Sequence, residues 1–305
     1  MNSKNSNDES VLMPQIDGEW WDIAGNPDLG RYNSSRQQPL DFGIWQAVDG
    51  TWQLWSCVRR TKCGGRNRLF FRWQAEGLTD SDWKPMGVAM EADPNFGEYI
   101  GGLQSPFVYK YRGDYFLFYG DWVHICMAKS WDGKTFARIL QADNLTGMFT
   151  EGHRSSSRDP MVLAFRDTFY LYYTGVPHGE GAIYCRTSND LMHWGESKIV
   201  SCGGRGGNGP TTAECPFVIY LPDEHYFYLF RAHPAKKTGE YETTIYRSAD
   251  PLDFGIDDDR YVIGTLPAEV TRIIFHDRHY YIAALKSDYT GIRMAHLKWV
   301  HRVRN

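Results

Sequence analysis

The sequence predicts an all-β fold, a five-bladed β-propeller, and three observations carry that prediction. A pattern recurs roughly every 55 residues: a short apolar strand, a turn carrying charge or glycine, then an aromatic-rich strand. Each copy is followed by a third strand and a turn that ends in an aromatic residue. Aromatic residues make up 15% of the chain, from 11 Trp, 19 Tyr and 16 Phe, and 30 Gly accompany them, a mixture suited to strands with stacking surfaces. Five similar units of three or four strands fit a propeller of four-stranded blades, and their likeness to one another argues against a generic β-sandwich.

Taken in order, residues 1 to 38 carry Trp20 and Trp21 among Gly and Asn and are expected to form a lead-in that helps close the ring; residues 39 to 305 form the propeller. The first unit opens at Asp41 with DFGIWQAVDGTWQLWS and continues with LFFRWQAEGLTDSDW. The second opens at Ser105 (SPFVYKYRGDYFLFYG, then ICMAKSWDGKTF) and the third at Asp159 (DPMVLAFRDTFYLYYTG, then IYCRTSNDLMHW). The fourth opens at Glu214 (ECPFVIYLPDEHYFYLFR, then TIYRSADPLDF), and VTRIIFHDRHYYIAAL from Val270 with IRMAHLKW forms the fifth. From the opening residue to the Leu of the second strand, the second and third units both count 12 residues, the first 13 and the fourth 15.

Several function classes are excluded early. Lys+Arg number 33 against Asp+Glu 37, so no overall basic field exists to hold nucleic acid or an anionic membrane. No apolar run approaches the roughly 18 residues of a membrane-spanning helix, and the opening MNSKNSNDES lacks an apolar h-region. The expected location is cytoplasmic, or secreted or periplasmic if a signal peptide precedes this start. Six cysteines without a CxxC pair argue against a zinc site or a dense disulfide framework, and most are expected to be buried thiols. No cofactor or metal is expected, although a structural cation in the central channel is compatible with the pattern.

Strand parity turns the repeat into a statement about function. In a blade whose first strand leaves the central axis at one face, the loop into strand one and the loop joining strands two and three lie on that face. Asp41, Ser105, Asp159 and Glu214 all open a first strand, so they are expected around one mouth of the channel. The hairpin tips that would rim it hold Arg59, Asp121, Trp122, His178, Arg231, His233 and Lys286, a polar and aromatic set suited to a sugar. Three of five equivalent positions hold a carboxylate. Acids gathered at one mouth repel one another and lose solvation, which splits their pKa values so that one keeps its proton near neutrality. Glycosidic cleavage needs that split, with one carboxylic acid protonating the departing oxygen and a carboxylate on the other side attacking or activating water.

The runs Ser157-Arg158-Asp159-Pro160 and Ala213-Glu214-Cys215-Pro216 resemble the Arg-Asp-Pro and Glu-Cys motifs of glycoside hydrolase family 32, while the blade pattern and length are more similar to family 43. The likeness spans roughly residues 35 to 300. It implies that Asp41 is the base or nucleophile, Glu214 the general acid and Asp159 the carboxylate that orients substrate and tunes the acid. The first motif of family 32, Asn-Asp-Pro-Asn-Gly, falls on Leu40-Asp41-Phe42-Gly43-Ile44, where only its Asp is matched. Phe42 in place of Pro, and a length that leaves no room for an accompanying β-sandwich, turn the expectation toward a family 43-like inverting reaction. The resemblance further implies an Arg from the fifth blade near the substrate, with Arg272 as candidate; a strand-face pairing of Arg272 with Glu269 or Asp277 is the alternative.

Arg158, His153, Trp122 and Arg231 complete the expected substrate-binding set, and Trp45 reads as core. The loop SCGGRGGNGP (201 to 210) reads as a flexible connection, a phosphate cradle with Arg205 being the rival. The expected activity is hydrolysis of a terminal glycosidic bond in an oligo- or polysaccharide. A retaining fructosidase-like hydrolase, a propeller phosphorylase and a non-catalytic glycan-binding propeller are the alternatives.

Overall fold

The computed structural model describes residues 10–152, 156–235 and 238–303. It is a five-bladed β-propeller. The N-terminal strand β1 (Ser10–Gly25) precedes a first blade of β2 (Gln38–Gln46), β3 (Trp52–Arg59), β4 (Leu69–Ala75) and β5 (Lys84–Met90). The second blade holds β6 (Gln104–Tyr111), β7 (Asp114–Gly120), β8 (Ile125–Ser130), the short β9 (Ala137–Arg138) and β10 (Gly147–Phe149). The third is β11 (Arg158–Phe165), β12 (Thr168–Gly175), β13 (Ala182–Ser188) and β14 (Lys198–Cys202). The fourth is β15 (Glu214–Leu221), β16 (Tyr226–Pro234), β17 (Tyr241–Ser248) and β18 (Val262–Leu266). In the fifth, β19 (Arg272–His276), β20 (His279–Leu285) and β21 (Gly291–Val303) are joined by β1 as the outermost strand, Ser10 pairing with Val303.

The core lies between blades. Aromatic side chains on facing sheets interlock there, as where Trp45 and Trp55 of the first blade meet Phe136 of the second, with the Trp45 indole N–H donating to the Gly133 carbonyl at 2.7 Å. Large aromatic faces bury apolar area that four-stranded sheets of small residues would lack. Among the described residues no helix is long and apolar enough to cross a membrane.

Strand pairing fixes which residues are equivalent. Ile44 pairs with Leu54, Val108 with Leu117, Val162 with Leu171, Val218 with Leu229 and Ile273 with Ile282. Three residues before each of these stand Asp41, Ser105, Asp159, Cys215 and Val270; four before stand Leu40, Gln104, Arg158, Glu214 and Glu269. The expectation that Glu214 shares the position of Asp41 and Asp159 is therefore corrected by one residue. A longer first turn in the fourth blade, between Leu221 and Tyr226, conceals the offset when positions are counted from the sequence.

This position is where each inner strand breaks its regular ladder. Ser105, Asp159, Cys215 and Val270 all take positive φ, at 48°, 59°, 51° and 54°. For a β-branched residue such as Val270 that conformation is a genuine outlier, and strain of this kind collects at functional sites. The pairing skips across it in four blades, between Pro39 and Phe42, Gln104 and Phe107, Arg158 and Met161, and Glu214 and Phe217. Such a bulge re-aims the side chains beside it, here toward one end of the axis.

Candidate active site

The two rows of residues meet in a pocket of ≈ 490 Å³. Asp41, Asp159 and Cys215 from one row and Arg158, Glu214 and Glu269 from the other line it. The ends of strands two and three and the loops joining them supply its walls from every blade: Arg59 and Arg68, Trp122, Val176 and Gly179, Ala232 and Tyr241, and Tyr289.

Asp159 lies deepest, only 1% exposed. Ser105 Oγ donates to its Oδ1 at 2.5 Å, while Thr174 Oγ1 and the Cys215 backbone N–H donate to its Oδ2 at 2.8 and 3.1 Å. With both oxygens held by the protein, this carboxyl is a fixed group rather than a free proton acceptor. Asp41 is also buried, and the Cys215 thiol donates to its Oδ1 at 3.5 Å. Burial raises the Asp41 pKa and neighbouring Asp159 adds to the rise, against the pull of Arg68.

Glu214 is more open to the pocket. Arg158 Nη2 donates to its Oε1 at 2.5 Å and the Tyr241 hydroxyl to its Oε2 at 2.7 Å. Arg158 also reaches toward Asp159, Nε to Oδ2 at 3.7 Å, so one guanidinium ties two blades' acids together. Burial alone would lower the Arg158 pKa, but Glu214 and Asp159 outweigh it and the value rises. Arg158 is thus a clamp on the two carboxyls as well as part of the lining.

Glu269 is the functional candidate that sequence reasoning missed, considering it only as a partner for Arg272. It occupies the same strand position as Glu214, one blade on, and the repeat of Ala-Glu at Ala213-Glu214 and Ala268-Glu269 was the available signal. Burial, with Asp41 and Glu214 adding, pushes its pKa up to about 7, against Tyr289 and Arg59.

The profile of the glycosyl hydrolases family 32 N-terminal domain matches residues 72–283. The chain belongs to this family. The matched span contains Asp159, Glu214 and Glu269 but begins after Asp41, in keeping with the departure of the first motif from the family pattern. As a family 32 protein the chain is a glycoside hydrolase that acts on carbohydrate. No curated protein sequence matches it. In fold it is similar to a thermostable family-43 glycoside hydrolase (17% identity, TM-score 0.64, covering 90% of this chain and 96% of that one). It is also similar to the endo-arabinase of Bacteroides thetaiotaomicron (16%, TM-score 0.65, 90% and 97%) and the family 32 β-fructofuranosidase of Bombyx mori (18%, TM-score 0.63, 92% and 61%).

The remaining expected residues of this family 32 protein fall in different places. Trp122 lines the pocket, its ring flanked by Arg66 and Arg68 with guanidinium carbons 4.6 and 5.2 Å from the centroid. Arg231 does not line the pocket. It is wholly buried and donates to Ser201 Oγ and to the Gly203 carbonyl, both at 2.8 Å, because the glycine-rich loop folds over it. That loop is accordingly pinned, with the Arg205 N–H also donating to Asp259 at 2.9 Å, rather than a free connection. His233 is buried beside it against Thr244. Arg272 pairs with neither Glu269 nor Asp277 and stands outside the pocket lining. Its side chain donates to the carbonyls of Phe42 and Thr271 in a cavity of ≈ 250 Å³ lined by inner-strand residues, including Gly43, Phe107 and Phe217. His153 lies outside the described residues.

Among the described residues, Asp41, Asp159 and Cys215 are the acidic and sulfur groups close enough to share a metal ion, their ligand atoms within 4.8 Å of one another. Burial and then Asp159, Asp41 and Glu214 raise the Cys215 thiol well above its ordinary value in the metal-free protein. The Asp159 oxygens are already hydrogen-bonded.

Proposed function

We propose that this family 32 glycosidase releases a terminal sugar from an oligo- or polysaccharide, with Glu214 as proton donor, Asp41 acting across the anomeric carbon and Asp159 orienting the sugar. The observation that carries this reading is the convergence of Asp41, Asp159 and Glu214, from three blades, on one pocket, the two aspartates buried and Glu214 facing the open space. A pocket walled by loops from all five blades, rather than an open groove, favours a chain end as the substrate.

Asp41 is proposed to act as a base through water, which inverts the anomeric configuration. A carboxylate whose pKa is raised is the better proton acceptor, and burial and Asp159 raise Asp41. Family membership favours the second reading, direct attack by Asp41 with retention.

Replacing Glu214 by Gln tests the role of the donor. Turnover of substrates with poor leaving groups should fall on the order of 10² to 10⁴-fold, and activated aryl glycosides should lose far less because their leaving group needs little protonation. Equal losses on both substrates would remove Glu214 from that role.

A further inference from the structure

The first blade's hairpin carries a charge that the catalytic cluster does not account for. From Arg59 to Arg68 the sequence reads RRTKCGGRNR, five cations and no acid, in a chain whose net charge is −4. Among the described residues none of Arg59, Arg60, Lys62, Arg66 and Arg68 has a carboxylate oxygen within 4.0 Å. Burial lowers the Arg59 pKa and the like charges of Arg60 and Arg68 lower it further, the signature of cations crowded together.

The hairpin is also held in place. The Arg66 and Arg68 N–H groups donate to the carbonyls of Ile100 and Gly101 at 2.9 and 3.0 Å. Gly65 takes φ +55° and sits so close to this neighbour that a Cβ would meet the Ile100 carbonyl oxygen at 1.9 Å. Trp122, at the pocket edge, carries both Arg66 and Arg68 against its ring. A hairpin whose backbone is pinned and whose Arg66 and Arg68 side chains are stacked has less conformational freedom to lose on binding an anion than a mobile basic loop has.

Arg59 and Arg68 line the pocket and offset its acids, Arg68 acting on Asp41 and Arg59 on Glu269. Arg60, Lys62 and Arg66 are exposed and stand outside that lining, so their charge is in surplus. We propose that this hairpin binds an oxyanion, a carboxylate, sulfate or phosphate, carried by the glycan whose end enters the pocket. This rests on the glycosidase reading and adds the substrate class: an acidic rather than a neutral glycan. Terminal sugar in the pocket and charge at the rim would then be read together.

The test uses the full chain and a Lys62→Gln/Arg66→Gln variant on an array of matched neutral, carboxylated and sulfated oligosaccharides, with inorganic phosphate and sulfate as free anions. The wild-type protein should bind acidic members about tenfold more tightly than their neutral matches, a preference that shrinks as salt screens it. The variant should lose most of it. No acidic preference, or one that survives in the variant, overturns the proposal. Free phosphate or sulfate binding as tightly as the acidic glycans overturns its glycan-borne source, and formation of a sugar phosphate identifies the anion as a co-substrate instead. Cleavage of neutral glycans by both proteins reports separately on the glycosidase reading.

Discussion

Replacing Glu269 by Gln should make the protein more stable in alkaline solution than it is now. The carboxyl has an ordinary value of 4.5 and sits at about 7 in the folded chain. The folded state thus holds the Glu269 proton more tightly than the unfolded chain does. That contribution is fully present below pH 4.5 and is lost as pH rises through about 7. At 1.36 kcal/mol per tenfold in proton affinity, the total comes to about 3 kcal/mol, of which about 2 kcal/mol falls between pH 5 and pH 8. Gln keeps an oxygen that can accept from Tyr289 but cannot ionise, so the variant escapes the loss. Thermal unfolding of both proteins at pH 5 and pH 8 measures this, and the gap between them should widen by about 3 °C in Tm at the higher pH, given the entropy of unfolding of a chain this long. Asp41 titrates in both proteins, so only its coupling to Glu269 enters the difference. A gap of equal size at the two pH values would show that Glu269 does not hold its proton near neutrality, and the electrostatic account of the pocket would fail with it.

Three further outcomes are expected. Proton NMR of fresh product, read before mutarotation, should show the inverted anomer; a retained one would establish Asp41 as a nucleophile and favour carboxyls about 5 to 5.5 Å apart. The acidic limb of the kcat/KM profile should lie above the ordinary range of an aspartate, because Asp41 must ionise to act and its pKa is raised; a limb at the ordinary value would contradict the burial argument. Arg231→Met should cost about 2 kcal/mol by leaving the Gly203 carbonyl without its buried donor, and limited proteolysis should then cut within residues 203 to 209; an uncut loop would show that other contacts hold it.

Blade number and the convergence of Asp41, Asp159 and Glu214 were legible because a β-repeat repeats its parity. A carboxylate at the start of one inner strand must share a face with its counterparts whatever the intervening loops do. What was not legible depends on turn length and burial. The longer turn after Leu221 disguised the one-residue offset of Glu214, and with the offset hidden its true counterpart Glu269 went unnoticed. Arg231 shows the other kind of miss. Its place near a hairpin tip is what parity gives, but on a strand every second side chain turns away from the pocket, and this one meets a loop whose glycines leave room for a guanidinium. Arg272 is similar: it follows the strained Val270 and turns to the carbonyls of Phe42 and Thr271 instead of lining the pocket.

The pairing of β1 with β21 has a consequence for how the enzyme can come into being. The fifth blade cannot be completed until β21 exists to receive β1, so β1 must wait unpaired while the strands of all five blades are translated. The pocket is complete only when all five blades are, since its walls come from every blade. The same pairing sets Ser10 of the outermost strand beside Val303 of β21, so the two ends of the described ring meet on one blade, on the side away from the axis, where a permuted junction would leave the mouth of the pocket clear.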